Sequence, residues 1–111
     1  MQFVSTRGEA PVLGFSDAVL SGLASDGGLY LPESWPQVSA AEIAGFAGKP
    51  YADVAYAVIS RFVDGEIPDG TLKGIIDASY ASFRHPSVAA LVEIAPGHFV
   101  LELFHGPTLA F

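Results

Sequence analysis

Two successive helical stripes between Tyr51 and Phe83 limit the fold of this chain more than any other feature. Tyr51, Val54, Ala55, Val58, Ile59 and Phe62 fall at i, i+3, i+4, i+7, i+8 and i+11. That spacing lays one apolar face along about three to four helical turns. Asp64-Gly65 ends the helix, and Pro68-Asp69-Gly70-Thr71 begins another that carries Leu72, Ile75, Ile76, Tyr80 and Phe83 on one face. The polar connection between them is short, so the two helices are predicted to pack as an antiparallel pair.

Upstream, residues 2 to 6 alternate loosely and suit a short strand. Ser16 is a candidate N-cap, with Asp17 in the first turn, where the helix dipole favours negative charge. Phe15 and Leu20 have the spacing of a hydrophobic staple, and this helix is expected to end by Gly27-Gly28. Leu29-Tyr30-Leu31 reads as a short strand closed by Pro32. Ser39-Ala40-Ala41-Glu42 is a capping box, with Val38 and Ile43 as its staple, and Gly45 and Gly48 keep that helix short.

The pattern changes at His85-Pro86. Leu91-Val92-Glu93-Ile94 and Phe99-Val100-Leu101-Glu102-Leu103 are strand candidates around the turn Ala95-Pro96-Gly97-His98. The second strand runs straight into His105-Gly106-Pro107-Thr108. On chemistry alone this is a strand-to-helix turn: Gly106 frees the backbone, Pro107 sets φ, and Thr108 caps the next helix. The expected fold class is α+β. Residues 1–84 form a mostly helical small domain with short strands, and residues 85–111 open with a β-hairpin.

Half of the 111 residues are hydrophobic and only 15% are charged, against about 25% in an ordinary domain. A small domain has much surface to cover, so a chain this poor in charge is expected to bury part of that surface against something else. The rest of a larger polypeptide is the first candidate, and a second copy of the chain is the next. Twelve acidic and five basic residues give a net charge of −7. This disfavours nucleic acid and anionic membrane as partners. The basic residues Arg7, Lys49, Arg61, Lys73 and Arg84 form no patch, and there is no cysteine for disulfide, thiolate or nucleophile chemistry. No segment has the apolar core of a signal peptide or the ~20 apolar residues of a membrane span. A cytoplasmic location is the expectation.

Chemistry-bearing motifs are few. His85, His98 and His105 are spaced 13 and 7 apart with no carboxylate completing a metal motif, so no metal site is expected. Ser5-Thr6-Arg7-Gly8 sets a guanidinium beside two hydroxyls and a glycine, which suits an anion. It equally suits a strand ending in a turn, with Arg7 paired to a carboxylate.

Several segments, in order, resemble the threonine synthases: Ser5-Thr6-Arg7-Gly8, Phe15 to Ala24, Asp26-Gly27-Gly28-Leu29-Tyr30-Leu31-Pro32, Glu66-Ile67-Pro68, and Leu101 to Phe111. In that family His-Gly-Pro-Thr-x-Ala-Phe is followed at once by the lysine that holds pyridoxal phosphate (PLP). The resemblance implies a PLP-dependent lyase of amino-acid biosynthesis that converts O-phospho-L-homoserine and water to L-threonine and phosphate. It implies that residues 85–111 open the PLP-binding α/β domain and that His105, Gly106, Pro107, Thr108 and Phe111 lie near the cofactor. Ser5, Thr6 and Arg7 become candidates for a substrate-anion site.

PLP bonds an amine, and neither lysine of this chain has the family's context: Lys49 sits in Gly48-Lys49-Pro50 and Lys73 lies off its helix's apolar stripe. The chain alone is therefore expected to be inactive and to hold no covalent cofactor. Its expected partners are the rest of the polypeptide, the small-molecule substrate and a homo-oligomer. A non-catalytic interaction module derived from a threonine synthase-like protein is the alternative.

Overall fold

The structure, a computed structural model, describes residues 1–108. Strand β1 (Phe3–Ser5) pairs antiparallel with β2 (Tyr30–Pro32), setting Phe3 opposite Pro32 and Ser5 opposite Tyr30. On its other edge Phe3 exchanges backbone hydrogen bonds with Leu13 at 2.8 and 3.1 Å. Pro32 can close β2 because a terminal strand position needs no N–H.

Helix α1 (Phe15–Ser21) starts earlier than its sequence suggests. The N-cap is Gly14, with no side-chain cap of its own, and Ser16 lies inside the helix. The Glu66 carboxylate takes over the capping role, accepting the N–H of Phe15 at 2.7 Å and of Ser16 at 2.9 Å. The expected staple is not made: Leu20 is 85% exposed, while the Phe15 ring packs toward the core, with its centroid 6.0 Å from that of Phe3. The helix ends at Gly22, whose φ of 68° suits glycine, within the limit set by Gly27-Gly28.

Helix α2 (Ala40–Ala44) carries the capping box read from sequence. Ser39 Oγ accepts the Glu42 N–H at 3.2 Å, and Glu42 Oε2 accepts the Ser39 N–H at 2.8 Å. Ile43 of the proposed staple is exposed. Arg61 donates to the Glu42 carboxylate and to the Gln37 carbonyl, which ties this segment to the next helix.

Helices α3 (Tyr51–Val63) and α4 (Asp69–Ala81) pack antiparallel. The ring of Tyr51 at the start of α3 meets that of Tyr80 near the end of α4, at 4.8 Å. Ala55, Val63, Leu72 and Ile76 form the buried centre, with Phe15, Ile59, Ile67 and Tyr80 around it. The buried face is rotated from the predicted stripe. Val63 is 1% exposed although the stripe ended at Phe62, and Ile75, assigned to the face, is 50% exposed.

Beyond α4, β3 (Ala90–Ala95) and β4 (His98–Glu102) form the expected hairpin, turning at Pro96-Gly97 with Leu91 opposite Leu101 and Val92 opposite Val100. Exposed apolar side chains project from this ribbon at Leu91, Ile94, Phe99 and Leu101. Among the described residues, four helices with two antiparallel strand pairs make the fold α+β, as the patterning indicates.

Candidate functional site

The segment leaving β4 folds back against the end of α4. Arg84, three residues past that helix, holds it through backbone and side chain together. Its N–H donates to the His105 carbonyl at 2.8 Å. Its Nη2 donates to the Gly106 carbonyl at 2.9 Å and reaches the Phe104 carbonyl at 3.5 Å, the edge of hydrogen-bond range. Gly106 lies close to Phe83: a Cβ there would stand 3.6 Å from the ring, an ordinary contact.

His105 is fixed at its side chain as well. Nε2 pairs with Glu102 Oε2 at 2.7 Å, and the ring stands against those of Phe104 and His85, with centroids 4.6 and 4.8 Å away. His85 Nδ1 accepts the Ser87 N–H at 3.1 Å. One residue further, Val88 is buried with φ of 59°, a left-handed conformation rare for a β-branched residue. Pro107 and Thr108 continue the loop in the open, and Phe111 lies outside the described residues.

Sequence reasoning picks out His105 and Gly106 but misses Arg84 and Glu102, which hold them. The only local signal is Glu102 standing three positions before His105. Arg84 has none, because its partners lie some twenty residues downstream.

Ser5, Thr6 and Arg7 also come together, around Asp26. The Asp26 carboxylate accepts the Ser5 hydroxyl at 2.8 Å and the N–H groups of Gly28, Glu9 and Ala10 at 2.9 to 3.0 Å. Arg7 donates from Nη1 to the Asp26 carbonyl at 2.8 Å, and Thr6 Oγ1 accepts the Leu29 N–H at 3.0 Å. An internal carboxylate thus occupies the donor cluster, and Arg7 meets the carbonyl of that residue instead of a carboxylate. Desolvation pushes the Asp26 carboxyl up, but the hydrogen bonds from Gly28, Ser5, Glu9 and Ala10 outweigh it and bring its pKa from 3.8 to about 2.

The two lysines are placed on other elements of the fold. Lys73 Nζ sits 4.8 Å above the Tyr56 ring, and its position on α4 is about 12 Å of helix rise from Ala81, where that helix ends. Lys49 is exposed in the turn before α3. Among the described residues, no group of three or more His, Asp or Glu stands close enough to hold a metal, and no helix is long and apolar enough to cross a membrane.

An α+β unit of short strands and helices, leading into a pinned loop, matches one class of N-terminal segment. Residues 2–80 match the profile of the family described as the threonine synthase N terminus, and the chain belongs to that family. Among individual proteins, the threonine synthase of Pseudomonas aeruginosa is 50% identical over 111 residues, spanning all of this chain and 24% of the relative. A Homo sapiens protein named threonine synthase-like 2 is 38% identical over 112 residues, covering all of this chain and 23% of the relative. In the crystal structure of PLP-bound threonine synthase from Brucella melitensis, a segment 57% identical superimposes with a TM-score of 0.93, over all of this chain and 24% of that one. The chain thus spans about a quarter of the length of these relatives.

Proposed function

We propose that this chain is the N-terminal part of a threonine synthase, an enzyme that converts O-phospho-L-homoserine and water to L-threonine and phosphate. The observation that carries the proposal is the pinned loop His105-Gly106-Pro107-Thr108, in a chain that superimposes throughout on part of a PLP-bound relative. Residues 1–84 would form the small domain beside the substrate cleft, and residues 85–111 would open the cofactor-binding domain. A cytoplasmic enzyme of amino-acid biosynthesis is the setting this reading implies.

The described residues fit one wall of a PLP site and not the whole. They bring an imidazole in contact with two neighbouring rings and a loop fastened at three carbonyls, while the two lysines sit on the turn before α3 and over the Tyr56 ring. The lysine that bonds the cofactor, and the donors for its phosphate, would come from the remainder of the polypeptide. When bound, PLP supplies the electron sink that lets the phosphate ester leave and water add. What this chain contributes is placement. Arg84 holds the loop, His105 presents its imidazole, and the apolar hairpin excludes water where the larger domain covers it.

The test is to assay the full-length polypeptide carrying this chain with O-phosphohomoserine, following threonine and phosphate together. Equal amounts of both support the proposal, and PLP-bound protein that releases neither contradicts it. The second reading, a non-catalytic interaction module, draws on an apolar groove of about 280 Å³ lined by Phe15, Ile59, Ile67, Leu72, Ile75 and Tyr80. The same assay separates the two.

A further inference from the structure

We propose that Glu102 is a positioning residue that fixes the tautomer of His105, an inference that rests on the reading of this loop as a wall of the PLP site. A carboxylate oxygen can only accept, so at 2.7 Å from Glu102 Oε2 the proton of the pair lies on His105 Nε2. Whenever the ring is neutral, that assignment leaves Nδ1 as its basic nitrogen, with no hydrogen-bond partner among the described residues. The rings of Phe104 and His85 stand against it, and its backbone carbonyl is held by the Arg84 N–H.

The neighbouring ionisable groups are Arg84 and His85. The Arg84 guanidinium is directed to the loop carbonyls, and His85 Nδ1 is engaged as an acceptor of the Ser87 N–H. Neither competes with Glu102 for His105 Nε2. Glu102 therefore acts through His105: it presents Nδ1 as the atom able to take a hydrogen bond or a proton from a hydroxyl or phosphate group at the loop.

The experiment uses the full-length protein labelled with ¹⁵N-histidine, with His105 assigned by its absence in His105→Asn. The proposal predicts that, at a pH where His105 of the parent protein is neutral, its single ring proton lies on Nε2. Glu102→Ala and Glu102→Gln should each give a mixed tautomer signal at an unchanged melting temperature. In Glu102→Ala, PLP titrated into the apoprotein should bind about tenfold more weakly. A His105 signal unchanged in both variants overturns the proposal, as does a parent protein protonated at Nδ1. If the parent binds no PLP while the tautomer responds to Glu102 as predicted, the positioning role stands and the cofactor reading fails.

Discussion

Glu66 Oε1 accepts the backbone N–H of Phe15 at 2.7 Å, across 51 positions of sequence. The start of α1 is thereby fastened to the connection between α3 and α4 by one carboxylate. Gly14 leaves room for it, since a Cβ there would come within 2.7 Å of the same oxygen. The N–H groups of Ser16 and Phe15, with the Ser16 hydroxyl, hold the Glu66 carboxyl below its ordinary range.

Replacing Glu66 by Ala should lower the melting temperature by a few degrees, because two helix N–H groups lose their acceptor. Gly14→Ala should produce a smaller loss by crowding the same carboxylate. Thermal denaturation by circular dichroism measures both. A Glu66→Ala protein as stable as the parent would remove the capping role.

Acid should weaken the fold in a defined window. The Asp26 pKa falls from 3.8 to about 2, and that of Glu42 from 4.5 to about 2, chiefly through the Ser39 N–H and the Arg61 guanidinium in the second case. Folded-state values below the unfolded ones mean that the stabilisation is complete above the unfolded values, from about pH 4.5 upward. It is lost as pH drops toward 2. Stability measured in urea at stepped pH should fall through that range, and Asp26→Asn should make the fall shallower while lowering stability at neutral pH.

Legibility follows distance along the chain. The capping box of Ser39 and Glu42 is readable because its partners lie three positions apart, and the α3–α4 pair because periodicity is local. The start of α1 is not, because Ser16 suits the cap by type while Glu66 provides it from elsewhere. The same holds at the loop. His105 stands out by motif, whereas Arg84 acquires its role only when the hairpin brings residues 104–106 back to it. Ser5, Thr6 and Arg7 suit an anion by composition, and the anion they surround is the chain's own Asp26.

Core substitutions should separate the observed face from the predicted stripe. Val63→Ala should cost about 2 kcal/mol and Leu72→Ala about 2–5 kcal/mol, since both side chains are buried between the paired helices. Ile75→Ala, at a half-exposed position, should cost under about 1 kcal/mol in the 111-residue chain. Urea denaturation gives the order. Equal losses at Val63 and Ile75 would contradict the assignment of the core.

Arg84→Ala should loosen the loop and reduce turnover of the full-length enzyme on the order of tenfold to a hundredfold, through misplacement of reacting groups. Arg84→Lys should recover part of the loss, because both side-chain bonds come from one nitrogen, Nη2, whose place an ammonium can take. Steady-state phosphate release checks both variants. Full activity in Arg84→Ala would show that the loop keeps its place without this tie.

The placement of the cofactor can be read by reducing the full-length PLP-loaded protein with borohydride and mapping the pyridoxyl group by peptide mass spectrometry. The label is expected on a lysine immediately following Phe111, in the peptide that contains His105-Gly106-Pro107-Thr108. A label on Lys49, on Lys73 or on a peptide remote from this loop would contradict the cofactor placement on which the proposed function rests.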